Sequence, residues 1–159
     1  MTRLIRRPLL ARRALLLGAG AATLLAACAQ GAEPLAIQVY KTPFCGCCTK
    51  WVEALRAAGL KPSINELDDL TPVRATYGVD DTLSSCHTAR IGGYTIEGHV
   101  PPSDILRLLQ ERPKALGLAV PGMPIGSPGM EMPGAVAEPY ATLLLLDAKG
   151  ATRVFARHG

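Results

Sequence analysis

The chain has 159 residues, with 17 Lys and Arg against 13 Asp and Glu, a formal net charge of +4 and only 4% aromatic residues. That charge belongs to one end: residues 1 to 27 hold five arginines (Arg3, Arg6, Arg7, Arg12 and Arg13) and no acid, and without them 12 basic residues face 13 acidic ones. The balance argues against a nucleic-acid partner, and the roughly 130 residues beyond the leader suffice for one domain with a real core but not for two ordinary ones.

Read from the N-terminus, the arginine-rich stretch passes into the apolar run Ala14 to Ala27, the pattern of an export signal. Leu25-Ala26-Ala27-Cys28 resembles a bacterial lipobox, in which Cys28 is lipidated and becomes the first mature residue. Cleavage after Ala29, with Ala27-Cys28-Ala29 as an A-x-A site, is the alternative. The pair Arg12-Arg13 is also compatible with twin-arginine export. The apolar run is too short to cross a bilayer. The expected organisation is a signal at 1–27, a linker at 28–34 and one domain at 35–159, placed in the periplasm with membrane contact only through lipid on Cys28. In an exported protein, disulfides are the default expectation for the four remaining cysteines, Cys45, Cys47, Cys48 and Cys86.

Leu35 to Tyr40 has strand composition, and Lys41-Thr42-Pro43-Phe44 turns toward Cys45-Gly46-Cys47-Cys48. A helix over Thr49 to Ala58 sets Trp51, Val52 and Leu55 on one side and stops at Gly59. A strand is expected around Ser63 to Leu67, then a short helix capped by Thr71, with Pro72 in its first position and Gly78 at its end. Ala89 to Ile91 and Tyr94 to Glu97 form a hairpin across Gly92-Gly93. Ser103 caps a helix that buries Ile105, Leu108 and Leu109 and halts at Pro113. Residues 114 to 140, with five prolines, five glycines and three methionines, carry neither helical nor strand periodicity; their Pro-Gly-Met turns predict an ordered wrap. Ala141 to Leu146 and Ala151 to Arg157 read as a last hairpin that extends a sheet edge. The order β-α-β-(α)-β-β-α, with the cysteines at the end of the first strand, is that of an α/β thioredoxin-like domain, here with an added Pro/Gly/Met-rich loop and C-terminal hairpin.

Three thiols at the start of a helix suit disulfide chemistry or capture of a soft metal better than packing. Cys45 and Cys48 alone have the C-x-x-C spacing of a thiol-disulfide oxidoreductase, with Cys45 as nucleophile and Cys48 as resolving thiol. A plain staple, Cys45 to Cys48 with Cys47 to Cys86, is the structural alternative, but three clustered thiols are an inefficient staple, because a loop as short as Cys45 to Cys48 removes little unfolded-chain entropy. Thioredoxin-like oxidoreductases place a cis-proline opposite the active cysteine, and no proline occurs here from Val73 to Val100. Cys86-His87 occupies that region instead, which favours metal. Cysteine, histidine and thioether together suit Cu(I); zinc on three cysteines and His87 is the alternative. Adjacent Cys47 and Cys48 do not easily complete one tetrahedron, so bridging thiolates and several Cu(I) ions are expected. Met123 and Met130 are candidate ligands or cover, ahead of Met132. His99 is a ligand, an outer partner or a hydrogen-bonded loop histidine, and His158 is expected to be solvated.

These motifs together resemble a known family. Cys45-Gly46-Cys47-Cys48-Thr49-Lys50-Trp51-Val52, Ser85-Cys86-His87-Thr88-Ala89, Gly92-Gly93-Tyr94, Glu97-Gly98-His99-Val100-Pro101, Gly117-Leu118-Ala119-Val120-Pro121-Gly122-Met123-Pro124 and Gly126-Ser127-Pro128-Gly129-Met130-Glu131 look like the small exported metal-binding proteins that include the copper-resistance protein CopG. The resemblance covers almost the whole chain beyond the leader. It implies a thioredoxin-like fold, copper at the cysteine cluster and a role in periplasmic copper handling, with Cu(I)/Cu(II) redox activity as a further option. Metal ions, and copper exporters or chaperones of the periplasm, are the partners it points to.

Overall fold

A computed structural model describes residues 35–159; the expected signal at 1–27 and linker at 28–34, with Cys28, lie outside the described residues. The elements are β1 (Ala36–Lys41), α1 (Gly46–Ala57), β2 (Lys61–Glu66), α2 (Thr71–Tyr77), a 3-10 turn (Asp81–Leu83), β3 (His87–Ile91), β4 (Tyr94–Gly98), α3 (Pro102–Glu111), β5 (Gly117–Val120), β6 (Tyr140–Leu145) and β7 (Thr152–His158). The strands make one mixed sheet in the order β2-β1-β3-β4-β5-β6-β7, parallel at β1/β2 and β4/β5 and antiparallel elsewhere.

The core follows from the apolar periods of these segments. Ile37 and Val39, two apart on β1, face one way and are fully buried. Trp51, Val52 and Leu55 line one face of α1, and Ile105 and Leu108 one face of α3. All belong to a single cluster with Ala89, Ile96, Leu118 and Leu144. Burying each large side chain contributes about 1.5–3 kcal/mol before entropy is counted. Trp51 does so without stranding its polar atom, because Nε1 donates to the Val100 carbonyl at 2.9 Å.

Several boundaries differ from the sequence expectation, each for a local reason. Helix α1 starts at Gly46 with Cys45 as its N-cap, so Cys47 and Cys48 lie in its first turn rather than before it. Thr71 is not the N-cap of α2: Leu70 holds that position, and the Asp69 carboxylate accepts the Thr71 backbone N–H at 2.8 Å. Ser103 does not cap α3 either, since the helix enters directly from Pro101 and Pro102 with no side-chain cap. The wrap between 114 and 140 contains an unexpected strand, β5. Gly117-Leu118-Ala119-Val120 is buried on both faces between β4 and β6, so it shows no alternation. The Gly92-Gly93 turn is as expected, with φ of 56° and 92°, the conformation that joins tightly twisted strands.

The last hairpin extends the sheet through β5, and its end is tied back to α3. His158 is not simply solvated. Its Nε2 lies 2.9 Å from Asp104 Oδ2, its ring stacks on Tyr140, and the Thr142 hydroxyl donates to the same Asp104 oxygen at 2.7 Å.

Candidate metal centre

The centre has two limbs. The first is the start of α1, where Cys45 ends the turn from β1 through its N–H to the Thr42 carbonyl, and Cys47 and Cys48 occupy the first helical turn. Unpaired N–H groups and the positive end of the helix dipole point at that turn, and no acidic side chain lies in it. Cys48 is fully buried, whereas Cys45 and Cys47 are half-buried. Cys45 and Cys48 are joined as a disulfide in this structure, which leaves Cys47 and Cys86 as free thiols.

The second limb comes from the ends of β3 and β4. Cys86 precedes β3, His87 begins it opposite Lys41 of β1, and His99 follows β4. Cys86 Sγ joins the limbs: it lies 3.9 Å from Cys47 Sγ, 3.3 Å from His87 Nδ1 and 2.9 Å from His99 Nε2. Cys47 Sγ is in turn 3.4 Å from Cys45 Sγ. Two donor groups result, Cys45/Cys47/Cys48/Cys86 and Cys86/His87/His99, each with its ligand atoms within 4.8 Å of one another.

Hydrogen bonding sets the protonation of His99. Its Nδ1 lies 2.8 Å from the Pro128 carbonyl oxygen, which can only accept, so Nδ1 carries the proton. In the neutral ring Nε2 then presents its lone pair to Cys86 Sγ, the arrangement of a metal-ligating imidazole whose other nitrogen is held by an outer partner. His99 is therefore a member of the centre rather than a detached loop histidine. His87 is wedged between Trp51 and His99, with ring centroids 4.2 and 4.9 Å away. Its Nε2 is buried without a hydrogen-bond partner, an unmet polar atom in a polar cluster.

Burial governs the titration of this limb. It pushes the Cys86 thiol up to about 12, with nearby Cys47 adding to the effect, and it holds both His87 and His99 below their usual value. Near neutral pH the metal-free limb is thus a protonated thiol beside neutral imidazoles. Metal must displace the thiol proton but need not displace any from imidazolium.

The Pro/Gly/Met segment packs over the centre. Gly129 (φ 88°) sits so close to α1 that a Cβ there would come within 2.6 Å of the Cys47 carbonyl and 2.8 Å of the Trp51 nitrogen. The Ser85 hydroxyl donates to the Gly122 carbonyl, anchoring the other end of the wrap beside Cys86. Met130 is half-buried in this cover, while Met123 and Met132 are 52% and 56% exposed. The structure thus gathers Cys45, Cys47, Cys48, Cys86, His87 and His99, and leaves Met123 and Met132 at the surface.

Comparison with known proteins gives a consistent set. The model of a family described as a protein of unknown function, DUF411, matches residues 83–130, a stretch that includes Cys86, His87, His99 and Met130. A solved structure titled copper resistance protein copG, form 2, is 43% identical, covers 80% of this chain and 100% of its own, and superposes with a TM-score of 0.74. Form 1 of copG is 44% identical, covers 79% of this chain and 98% of its own, with a TM-score of 0.73. Among curated sequences no protein matches the chain.

Proposed function

The chain belongs to the CopG family of copper-resistance proteins, and from that premise we propose that it is an exported copper-handling protein that holds Cu(I) as a polynuclear cluster. The observation that carries the reading is the convergence on Cys86 of three further sulfur atoms from one side and two imidazoles from the other. Four thiolates so close together repel one another, and several monovalent ions bridged by sulfur neutralise them better than one divalent ion does. Soft sulfur with imidazole matches Cu(I), and zinc is the less fitting occupant. Cys45, Cys47, Cys48 and Cys86 are the primary ligands, His87 and His99 complete the buried side, and Met123 or Met130 supplies a soft, water-excluding cover with Met132 further out.

The scaffold is read as thioredoxin-like, from the strand order β2-β1-β3-β4 with α1 after β1 and α3 after β4. Residues 1–27 are read as the export signal, 28–34 as a linker and Cys28 as the lipid-bearing residue, which places the centre in the periplasm, where exporters or chaperones would exchange copper with it. The Cys45–Cys48 disulfide adds a redox element: two thiolates that form that bond give up two electrons, enough to reduce two Cu(II) to Cu(I).

Protein purified reduced and without oxygen is expected to hold more than one Cu(I) per chain, and Cys47→Ser to lower that number with the fold intact. A stoichiometric zinc protein that ignores Cu(I) overturns the reading. The same disulfide supports a second function, thiol-disulfide exchange with Cys45 as nucleophile and Cys48 as resolving thiol. Disulfide reduction that survives Cys47→Ser and is lost in Cys45→Ser would put that activity first.

A further inference from the structure

Cys86 and His87 enter the centre at the start of β3 without a proline or a covalent link to fix their backbone; no described peptide bond is cis. What brackets this dipeptide is one side chain of the next strand. Glu97 is fully buried, and its carboxylate reaches both flanks: Oε1 accepts the Ser85 backbone N–H at 2.7 Å, and Oε2 accepts the Thr88 hydroxyl at 2.6 Å. Arg74 of α2 supports the same unit, since its Nε donates to Glu97 Oε1 at 3.1 Å and another guanidinium nitrogen donates to the Ser85 carbonyl.

The sheet itself does not call for this arrangement. Thr88 and Glu97 are paired by their backbones, and a packed apolar residue at position 97 would avoid the desolvation that a buried carboxylate suffers. An apolar side chain, however, cannot hold a backbone N–H on one side of Cys86-His87 and a hydroxyl on the other. Buried ionic groups of this kind act by placing what they bond to, and groups just outside a metal's ligands orient those ligands.

We propose that Glu97, supported by Arg74, is a positioning residue of the metal centre, which fixes Cys86 Sγ and the His87 ring opposite the cysteines of α1. The inference rests on the copper reading only for its second readout. The first needs no metal: the His87 ring lies 4.2 Å from Trp51, so its proton resonances in reduced, metal-free protein carry the ring-current shift of the indole.

In Glu97→Gln the side-chain amide keeps the size but no longer accepts from three donors at once. With far-UV circular dichroism unchanged, the His87 resonances are expected to move toward those of an unstacked ring, and bound Cu(I) to leave about 10- to 100-fold faster. Unmoved His87 resonances in folded protein overturn the proposal, whatever happens to stability, and so does an unchanged release rate despite a displaced ring. If the ring moves but the wild type takes up no copper, the positioning role stands and the copper reading falls. Should Glu97→Gln fail to fold, Arg74→Gln, nearer the surface, is judged by the same two measurements and the same outcomes.

Discussion

Cys45, Cys47 and Cys48 stand within four residues at the head of one helix, two of them half-buried, whereas Cys86, His87 and His99 come from the ends of two strands and both imidazoles are sealed from water. The helix limb presents its sulfur to unpaired backbone N–H groups and the positive end of a helix dipole. The strand limb resists charge, because burial favours its neutral forms. The Cu(I) proposed above would reconcile them: the helix limb would supply negative sulfur, and the strand limb neutral nitrogen and a desolvated wall. Their only shared atom is Cys86 Sγ.

Replacing that atom gives the largest expected effect. Cys86→Ser should reduce copper to one ion per chain or none, measured by metal analysis of anaerobic protein, while the circular dichroism stays native. Wild-type copper content in this variant would mean that the limbs bind independently and that their contact is incidental.

Acid sharpens the contrast next. His87 and His99 are held by burial below their ordinary value near 6.5, so as pH falls past that value the unfolded chain takes up protons that the native chain refuses. Stability of the reduced, metal-free protein should therefore fall below about pH 6.5, by up to about 1.4 kcal/mol per pH unit for each histidine, as read by urea unfolding. His87→Gln should flatten that slope, and Cys47→Ser should not. The Cys86 thiol, pushed up to about 12, works at the other end of the scale: metal uptake releases its proton, so copper affinity rises with pH.

The smallest effect is expected from the cover. Met123 and Met130 replaced together by Leu conserve apolar volume, so stability should change by less than about 1.5 kcal/mol, and any loss should appear as faster copper release. Unchanged release would assign both methionines to packing alone, which the 52% exposure of Met123 already makes the sterner test for that residue.

The parts of this molecule that could be read along the chain are those whose cause is local. The C-G-C-C at a strand-to-helix passage, the two-glycine hairpin turn and the polar break of the final hairpin depend on near neighbours, and each appears close to its expected position. Strand β5 escaped because four small or apolar residues buried on both faces have no period to detect. The caps of α2 and α3 were displaced by one or two residues because Asp69 and the Pro101-Pro102 pair settle those helix starts in place of Thr71 and Ser103. His158 was misread because its partner, Asp104, lies 54 residues away.

The amino-acid sequence by itself determined the chemistry available to this protein: soft thiols at a helix start, a second Cys-His pair, thioethers in a proline-glycine wrap and the family to which they belong. Only the tertiary structure decided which of these meet. The strand order carries Cys86 to Cys47, the Pro128 carbonyl leaves the lone pair of His99 facing Cys86, and Glu97 brackets the dipeptide between them. Such contacts depend on distances across the sheet between residues remote in the chain, and no local pattern encodes them; the period of a strand says which way a side chain points, but not what stands opposite.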